Sequence, residues 1–203
     1  MVLKVESYTF GTRNRNIAYC PIFLHISRGT RYLPFTYSRG LLQENKYNDL
    51  LTLGDTVLVG FLYEKFREIE ETGTVVEFKI KGSMQGNCIP VHYVVEMMGI
   101  LLDNASQAVQ GTDFRKAIQF DFTEGKEEVC FKISNPFQRV SYDEIEEWFQ
   151  IGRSTKGKGR GLGLYRIRNL CKEKGCTISC RNNEIEGINR IEFILAIKKA
   201  DKS

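Results

Sequence analysis

Glycines alternate with basic residues in one short stretch of this 203-residue chain, positions 152–170, GRSTKGKGRGLGLYRIRNL. Gly157, Gly159, Gly161 and Gly163 carry no side chain that would hold a ligand away from the backbone. Successive amides in such a loop form a nest for an anion, and a helix that starts nearby adds the positive end of its dipole. The stretch therefore indicates a phosphate cradle, although a solvated basic loop would have the same composition.

The stretch is basic, and it does not match two common phosphate-binding motifs. Lys156, Lys158 and Arg160 supply formal positive charge. The stretch is not a Walker A loop, because no Gly-Lys-Ser or Gly-Lys-Thr ends it. It is a poor Rossmann turn as well, since no predicted strand leads directly into it and no βαβ unit surrounds it. The ligand that this pattern favours is a polyphosphate.

A second polar feature is Asn104, in GILLDNASQAV. The spacing predicts a helix from Val91, with one apolar face made of Val94, Val95, Met98, Leu101, Leu102, Ala105, Ala108 and Val109. Asn104 borders that face, whereas Glu96 and Asp103 are expected on the water-facing side. A carboxamide oxygen at the edge of a pocket suits Mg²⁺, which takes a few hard oxygen ligands beside phosphates and water. A solvated asparagine that merely fits the helix is the other interpretation.

The elements that must position these residues follow from periodicity and turn signals. We expect a helix over 46–71 interrupted near Gly54, strands at 74–81, 118–122, 129–133, 176–181 and 190–198, an acidic helix over 141–150, and a helix to about Lys174. Ser141 is the expected N-cap of the acidic helix, with Glu144 completing a capping box. This order predicts a two-layer α/β sandwich, in which a mixed sheet carries helices on one face.

Composition bounds the class of protein. A net charge of +4, 42% hydrophobic and 27% charged residues fit an ordinary globular protein and do not favour a nucleic-acid binder. Neither a transmembrane run nor a signal peptide is recognisable, which predicts a soluble, cytoplasmic chain. None of the six cysteines forms a CxxC pair. Cys171, Cys176 and Cys180 could suggest a metal site, but small buried thiols on a helix and the next strand are favoured.

Residues 1–45 differ from the rest of the chain. They contain Pro21 and Pro34 and many aromatic and basic residues, without a lasting helical period. We expect short strands and loops there, and a domain boundary that separates 1–45 from 46–203. A partly ordered flank, a remnant of a larger domain and a nucleic-acid-binding segment are the interpretations that stay open.

Two motifs together carry a resemblance to a known family. ILLDNASQAV, followed about fifty residues later by STKGKGRGLGLYRIRNL, resembles the gyrase, Hsp90, histidine-kinase and MutL ATPases. The likeness is strongest to the ATP-binding domain of bacterial sensor histidine kinases, particularly peptide-responsive quorum-sensing kinases. GDTVLVGFLYEKFREIEETG is similar to the helix that opens this domain in that subfamily. The resemblance covers about Tyr47 to Lys198 and implies the Bergerat type of α/β sandwich, with a mixed, mostly antiparallel sheet.

The resemblance also implies roles for individual residues. Asn104 matches the Mg²⁺-binding asparagine of the family, and its helix is therefore expected to face bound Mg²⁺ and ATP. The residues that match the ATP lid and the second glycine box are Ser154, Thr155, Lys156, Gly159, Arg160, Gly161, Leu162 and Gly163. Among these, Lys156 and Arg160 are the expected phosphate contacts and, with Asn104, the expected catalytic residues.

The adenine-binding motif departs from the family pattern. Family members usually have DxGxG at the end of a strand, where the aspartate accepts a hydrogen bond from the adenine amino group. Here the corresponding place is ISNPF, with Asn135 where the aspartate stands. The carbonyl oxygen of an asparagine can still accept that bond, although it carries no charge. The absent glycines change the shape expected for the adenine pocket.

The resemblance implies phosphoryl transfer rather than fast hydrolysis. In the gyrase and Hsp90 branches a glutamate one turn before the asparagine activates water, and here that position is Ile100. His25 and His92 are the two histidines of the chain, and neither has the sequence context of a phosphoacceptor. The chain is therefore expected to be the catalytic part of a longer, membrane-anchored kinase.

The implied partners are a histidine-containing dimerisation domain and a response regulator. A homodimer is expected in the longer protein, and no nucleic acid or direct membrane contact is expected for this chain. A nucleotide-binding regulatory module without kinase activity, acting through a protein partner, is the alternative function.

Overall fold

The computed structural model describes residues 17–21, 34–38, 45–110, 116–150 and 162–200. The chain divides into two compact units, Met1–Asn48 and Asp49–Ser203. In the first unit, strands β1 (Ile17–Pro21) and β2 (Pro34–Ser38) form an antiparallel pair. Short strands are what the sequence predicts for this region.

The second unit alternates helices and strands. Its first residues belong to a 3-10 helix, Asn45–Leu53. Its elements are α1 (Thr56–Glu71), β3 (Val75–Lys81), α2 (Val91–Gln110), β4 (Ala117–Glu124), β5 (Glu128–Pro136), α3 (Tyr142–Trp148), α4 (Gly163–Lys174), β6 (Thr177–Ile185) and β7 (Ile188–Lys198). The interruption expected near Gly54 lies between the 3-10 helix and α1, where Gly54 takes a left-handed φ of 76°.

The five strands of this unit form one sheet in the order β3-β4-β5-β7-β6. β3 and β4 are parallel, and the three other neighbouring pairs are antiparallel. The predicted mixed, mostly antiparallel sheet is therefore confirmed. β6 and β7 are longer than predicted, because a two-residue turn with positive φ at Glu186 (53°) and Gly187 (76°) lets the hairpin pair up to its tip.

Helices cover one face of the sheet, as the sequence predicts. α1 lies against β3, α2 against β4 and β5, and α4 against β6. The strands alternate so that Phe120, Ile133 and Phe193 share this covered face and are buried. Phe66 of α1 packs edge-on against Phe120, with ring centroids 5.2 Å apart. This buried aromatic layer joins α1 to the sheet and stabilises the fold.

The opposite face of the sheet is polar and contains a buried acid. Glu192 of β7 is only 2% exposed, although it lies on the face that carries no helix. Arg181 binds its carboxylate at 2.7 Å, and Lys132 approaches to 3.7 Å. The long basic side chains thus cover and neutralise Glu192. Sequence reasoning missed this cluster, since charged residues in alternating positions indicate a solvated face.

Candidate functional site

Asn104 lies in the C-terminal half of α2 and is partly exposed. Its neighbours Leu101 and Ala105 are buried in the core. The apolar face predicted for this helix is confirmed, with Val95 and Ala108 at its half-buried margins. The carboxamide therefore lies at the border between the core and solvent, as the helical spacing predicts.

Gly163, the first residue of α4, packs closely against α2. A Cβ atom at this position would lie 2.8 Å from Cγ2 of Ile100. Such a separation is shorter than real Cβ contacts, so only glycine fits here without displacing α2. Ile100 stands one helical turn before Asn104. The two motifs, distant in sequence, are thus adjacent in the fold at this glycine.

The start of α4 differs from the starts of α1 and α3, where the side chains of Asp55 and Ser141 accept from backbone N–H groups. Its N-cap residue is Leu162, which has helical φ and ψ and makes no side-chain capping bond. The first turn contains no acidic residue. Leu162 is 55% exposed, so solvent reaches this end of the helix. A helix N-terminus with no acid of its own suits an external anion.

Glu96 of α2 pairs with Arg166 of α4, at 2.9 Å between Oε1 and Nε. The hydrogen bond to Glu96 raises the pKa of Arg166. Glu96 is expected on the water-facing side, and its side chain is 27% exposed, because α4 packs beside it and covers part of it. Asp103 is 53% exposed, as expected, and binds Lys65 of α1 at 2.6 Å. The ion pairs of both acids therefore join helices.

Asn135 is the penultimate residue of β5, lies on the same face as Ile133, and is 1% exposed. Its Nδ2 donates to the backbone oxygen of Pro136 at 3.0 Å. This bond orients the carboxamide, and the oxygen is the hydrogen-bond acceptor of the group. The position at the end of a central strand is the one that the ISNPF motif predicts.

Two further asparagines shape the segment after Asn135, and sequence reasoning missed them. Asn182 Oδ1 accepts from the backbone N–H of Val140 at 3.1 Å, and its Nδ2 donates to the oxygen of Val140 at 2.8 Å. Asn189 Nδ2 donates to the oxygen of Phe137 at 3.1 Å. Side chains from β6 and β7 therefore hold the segment from Phe137 to Val140. The asparagines of RNNEIEGINR are the signal that could have indicated it.

Arg168 of α4 contacts α3 in two ways. Its Nη2 binds Oε2 of Glu146 at 2.8 Å, and its guanidinium lies 4.3 Å from the ring centroid of Phe149. The N-cap of α3 is Ser141, whose hydroxyl accepts from the backbone N–H of Glu144 at 3.2 Å, and the sequence predicts this cap. The elements on both sides of residues 151–161 are thus joined directly.

Several predicted site residues fall outside the described part of the chain. They are Ser154, Thr155, Lys156, Gly159, Arg160 and Gly161. Their roles stay predictions, as do those of Asn104, Asn135, Leu162 and Gly163, whose positions are described above. His92 lies exposed in the first turn of α2, and His25 lies outside the described residues.

Among the described residues, none of the helices combines the length and the apolar character that a membrane span requires. Within the same ranges, no group of three or more His, Cys, Asp or Glu residues is arranged to hold a metal ion. The Mg²⁺ predicted at Asn104 would have one protein ligand there, and such sites complete their coordination with phosphate oxygens and water.

Comparisons with known proteins agree with this geometry. The profile of the GHKL domain family matches residues 89–194, which include α2, β4, β5 and α4. The sensor protein CitS of Bacillus subtilis (strain 168) is 28% identical over 110 residues, which are 52% of this chain and 20% of CitS. The chain thus spans about a fifth of the length of this curated relative.

Solved structures of histidine kinases have the same fold. The catalytic domain of histidine kinase ThkA, in a nucleotide-free form, superposes with a TM-score of 0.54 at 20% identity, covering 68% of this chain and 95% of that one. Full-length ShkA in complex with AMPPNP superposes with a TM-score of 0.51 at 16% identity, covering 79% of this chain and 36% of ShkA. At these identities the likeness concerns the fold alone.

Proposed function

The chain belongs to the GHKL domain family, and we propose that it is the Mg²⁺- and ATP-binding catalytic domain of a sensor histidine kinase. Residues 46–203 form the ATP-binding domain in this proposal, and residues 1–45 are a separate N-terminal segment. The domain transfers the γ-phosphoryl group of ATP to a histidine on a dimerisation domain, in two-component signalling.

The observation that carries this proposal is the contact between Gly163 and Ile100. It brings the start of α4 within one helical turn of Asn104 on α2. An uncapped helix start binds phosphate, and a carboxamide beside it can hold Mg²⁺ that bridges phosphate oxygens. Lys156 and Arg160 would add positive charge to the phosphates, and the backbone of Gly159 and Gly161 would approach them closely.

Asn135 is the proposed adenine contact. The oxygen of its carboxamide would accept a hydrogen bond from the adenine amino group, while its nitrogen is bound to Pro136. Asn182 and Asn189 would hold the adjoining wall of the pocket, because they bind the backbone at Val140 and Phe137. This arrangement would replace the glycines of the usual family motif.

The environment of α2 favours transfer over hydrolysis. Ile100, in the place where a water-activating glutamate stands in other branches, cannot act as a base. Glu96 is bound to Arg166 and lies two turns before Asn104. Catalysis would then rest on placement of the acceptor and on charge neutralisation by Mg²⁺ and basic residues.

The proposed acceptor lies in another domain. His92 is exposed but lies in the first turn of α2, within the ATP-binding unit itself. The acceptor domain, a homodimer that it builds and a response regulator belong to a longer, membrane-anchored protein and its pathway, with this domain in the cytoplasm. The same chain acting as a nucleotide-dependent regulatory module is the second candidate, favoured by the absence of a phosphoacceptor context at His25 and His92.

Calorimetric titration with a non-hydrolysable ATP analogue, with and without Mg²⁺, tests the proposal. Micromolar-to-millimolar binding should require Mg²⁺ and should be lost in Asn104→Ala and Gly161→Ala. Addition of a histidine-containing dimerisation domain and labelled ATP then separates the candidates. Binding with transfer supports the kinase, binding without transfer to any acceptor supports the regulatory module, and no binding by the folded chain contradicts both.

A further inference from the structure

Two cysteines meet at the C-terminal end of α4. Cys171 lies in the last turn of the helix, and Cys176 immediately precedes β6. Gly175 between them takes a left-handed φ of 71°, and the backbone N–H of Cys176 donates to the oxygen of Cys171 at 3.0 Å. In this type of helix end the side chains at these two positions contact each other. The interaction with the Cys176 thiol is the first cause of the raised pKa of Cys171.

The surroundings of the pair are apolar and almost dry. Cys171 is 3% exposed and Cys176 7%, and Sδ of Met97 lies 3.9 Å from Sγ of Cys171. A charged product, such as two thiolates on a metal ion, would be costly there and would face the negative end of the α4 dipole. A disulfide is neutral, so the same surroundings accept it.

The two thiols are not equivalent. The hydrogen bond from Cys171 lowers the pKa of Cys176, while the same bond, with burial, raises the pKa of Cys171. Cys176 is also the more exposed of the two. Both thiols are buried, but the lowered pKa of Cys176 makes it the better nucleophile, and Cys171 beside it can resolve a sulfenic acid.

We propose that Cys171 and Cys176 form an oxidisable dithiol that a peroxide converts to an intramolecular disulfide. The sulfur of Cys176, as thiolate, attacks a peroxide oxygen and becomes a sulfenic acid, while the O–O bond breaks. With hydrogen peroxide, the hydroxide that leaves takes up the thiol proton and becomes water. The sulfur of Cys171 then attacks the sulfenic sulfur, the S–O bond breaks, and the proton of Cys171 leaves with the hydroxyl as a second water. The dithiol loses two electrons and two protons, and the peroxide is reduced to two water molecules.

The disulfide would lie at the opposite end of α4 from Gly163. It would join the last turn of α4 to the residue before β6. The backbone hydrogen bond from Cys176 to Cys171 already holds these two residues next to each other, as a disulfide requires. The modification does not depend on the proposed kinase function, because it uses neither the nucleotide nor the residues assigned to it.

Peptide mapping after peroxide treatment of the full chain tests the proposal. Trypsin cuts after Lys172 and Lys174, so the disulfide would link the fragments 169–172 and 175–181 into one species that a thiol reductant separates again. The second fragment also contains Cys180, whose pKa is raised to about 12 by burial and by the nearby carboxylates of Glu146 and Glu192. Cys180 is therefore the matched control.

The linked species should form in the wild-type chain and in Cys180→Ser, and should be absent in Cys176→Ser. The mapping of the wild-type chain, with fragmentation to locate the bond, is decisive by itself if a variant does not fold. A bond to Cys180, a bond between chains through the exposed Cys88, or oxidation that the reductant does not reverse would overturn the proposal.

Discussion

The N-termini of α1 and α4 are built in opposite ways. At α1 the side chain of Asp55 accepts from the backbone N–H groups of Val57 and Leu58, at 3.0 and 2.9 Å. At α4 the N-cap residue is Leu162, whose side chain has no acceptor atom. The helix that opens the domain thus satisfies its first amides within the fold. At the start of α4, which follows the glycine-rich stretch, no N-cap side chain accepts from the first backbone N–H groups.

A helix start without a cap has an energetic consequence. An aspartate or serine cap contributes about 0.5–2 kcal/mol, which α4 forgoes. The other end of α4 is well satisfied, because Gly175 ends the helix in a left-handed turn and Lys172 and Lys174 lie in the last turn. The interactions that stabilise the ends of α4 therefore lie at its C-terminal end, far from the proposed phosphate site. Substitutions at the N-terminus of either helix should therefore change ATP affinity or stability by measurable amounts.

The largest effect is expected for Gly163→Ala. Alanine would favour the helix by about 1 kcal/mol, but its Cβ would lie 2.8 Å from Ile100. Overpacking costs about 1–3 kcal/mol and would push the start of α4 away from Asn104. We expect Kd for Mg-ATP to rise roughly tenfold or more, with a smaller loss of stability in urea unfolding.

Gly99→Ala is the matched control for that substitution. Gly99 is also helical, but a Cβ there would lie 3.5 Å from Phe61, an ordinary contact. This variant should bind ATP normally. Ile100→Ala added to Gly163→Ala should recover part of the affinity. Equal losses in Gly163→Ala and Gly99→Ala would refute the close-approach argument.

A smaller effect is expected when α4 is given an acidic residue at its cap. Leu162→Asp should stabilise the helix by about 0.3–1 kcal/mol through the dipole. Its charge would repel the phosphates, so ATP affinity should fall roughly three- to tenfold at low salt and less at high salt. Leu162→Asn, measured beside it by calorimetry, has similar size without charge. If the two variants bind ATP alike, charge at this helix end is irrelevant to binding.

Removing the cap of α1 should affect stability alone. Asp55→Ala leaves two backbone N–H groups without their acceptor and should lower the free energy of unfolding by about 1 kcal/mol. Kd for ATP should stay unchanged, because Asp55 lies nearly three helical turns before Lys65, the residue of α1 that binds Asp103 beside Asn104. Asp55→Asn keeps an acceptor and should retain most of the stability. A large change of Kd in Asp55→Ala would mean that the two helix starts are coupled.

Features that depend on neighbouring residues in the chain could be predicted from the sequence, whereas those that depend on strand pairing could not. The helical face of α2, the break at Gly54 and the cap at Ser141 depend on neighbours in the chain, and their patterns predict them correctly. The sequence predicts that the sheet is mixed, but it does not predict the order of the strands. Its strand order follows from pairings such as β5 with β7, between which α3 and α4 intervene.

The candidate site was predictable where its residue types are unusual for their element. Asn104 at the edge of an apolar helix and Asn135 at a strand end are such positions. The sequence does not predict the roles of Asn182 and Asn189, because polar residues near a turn normally indicate solvent exposure. Their partners Val140 and Phe137 are also distant in sequence. The same applies to Glu192, whose cover by Arg181 depends on strand pairing.

The smallest effect is expected at α3, whose cap is intermediate between the two extremes. Ser141 offers one bond to Glu144, at 3.2 Å and exposed, where Asp55 offers two partly buried ones. Water can replace an exposed bond, so Ser141→Ala should cost about 0.5 kcal/mol in urea unfolding, less than Asp55→Ala. Ser141→Asp should regain or exceed the wild-type stability through the helix dipole. A cost above that of Asp55→Ala would mean that this cap holds the segment from Val140 onward, and therefore that Asn182 and Ser141 act on it together.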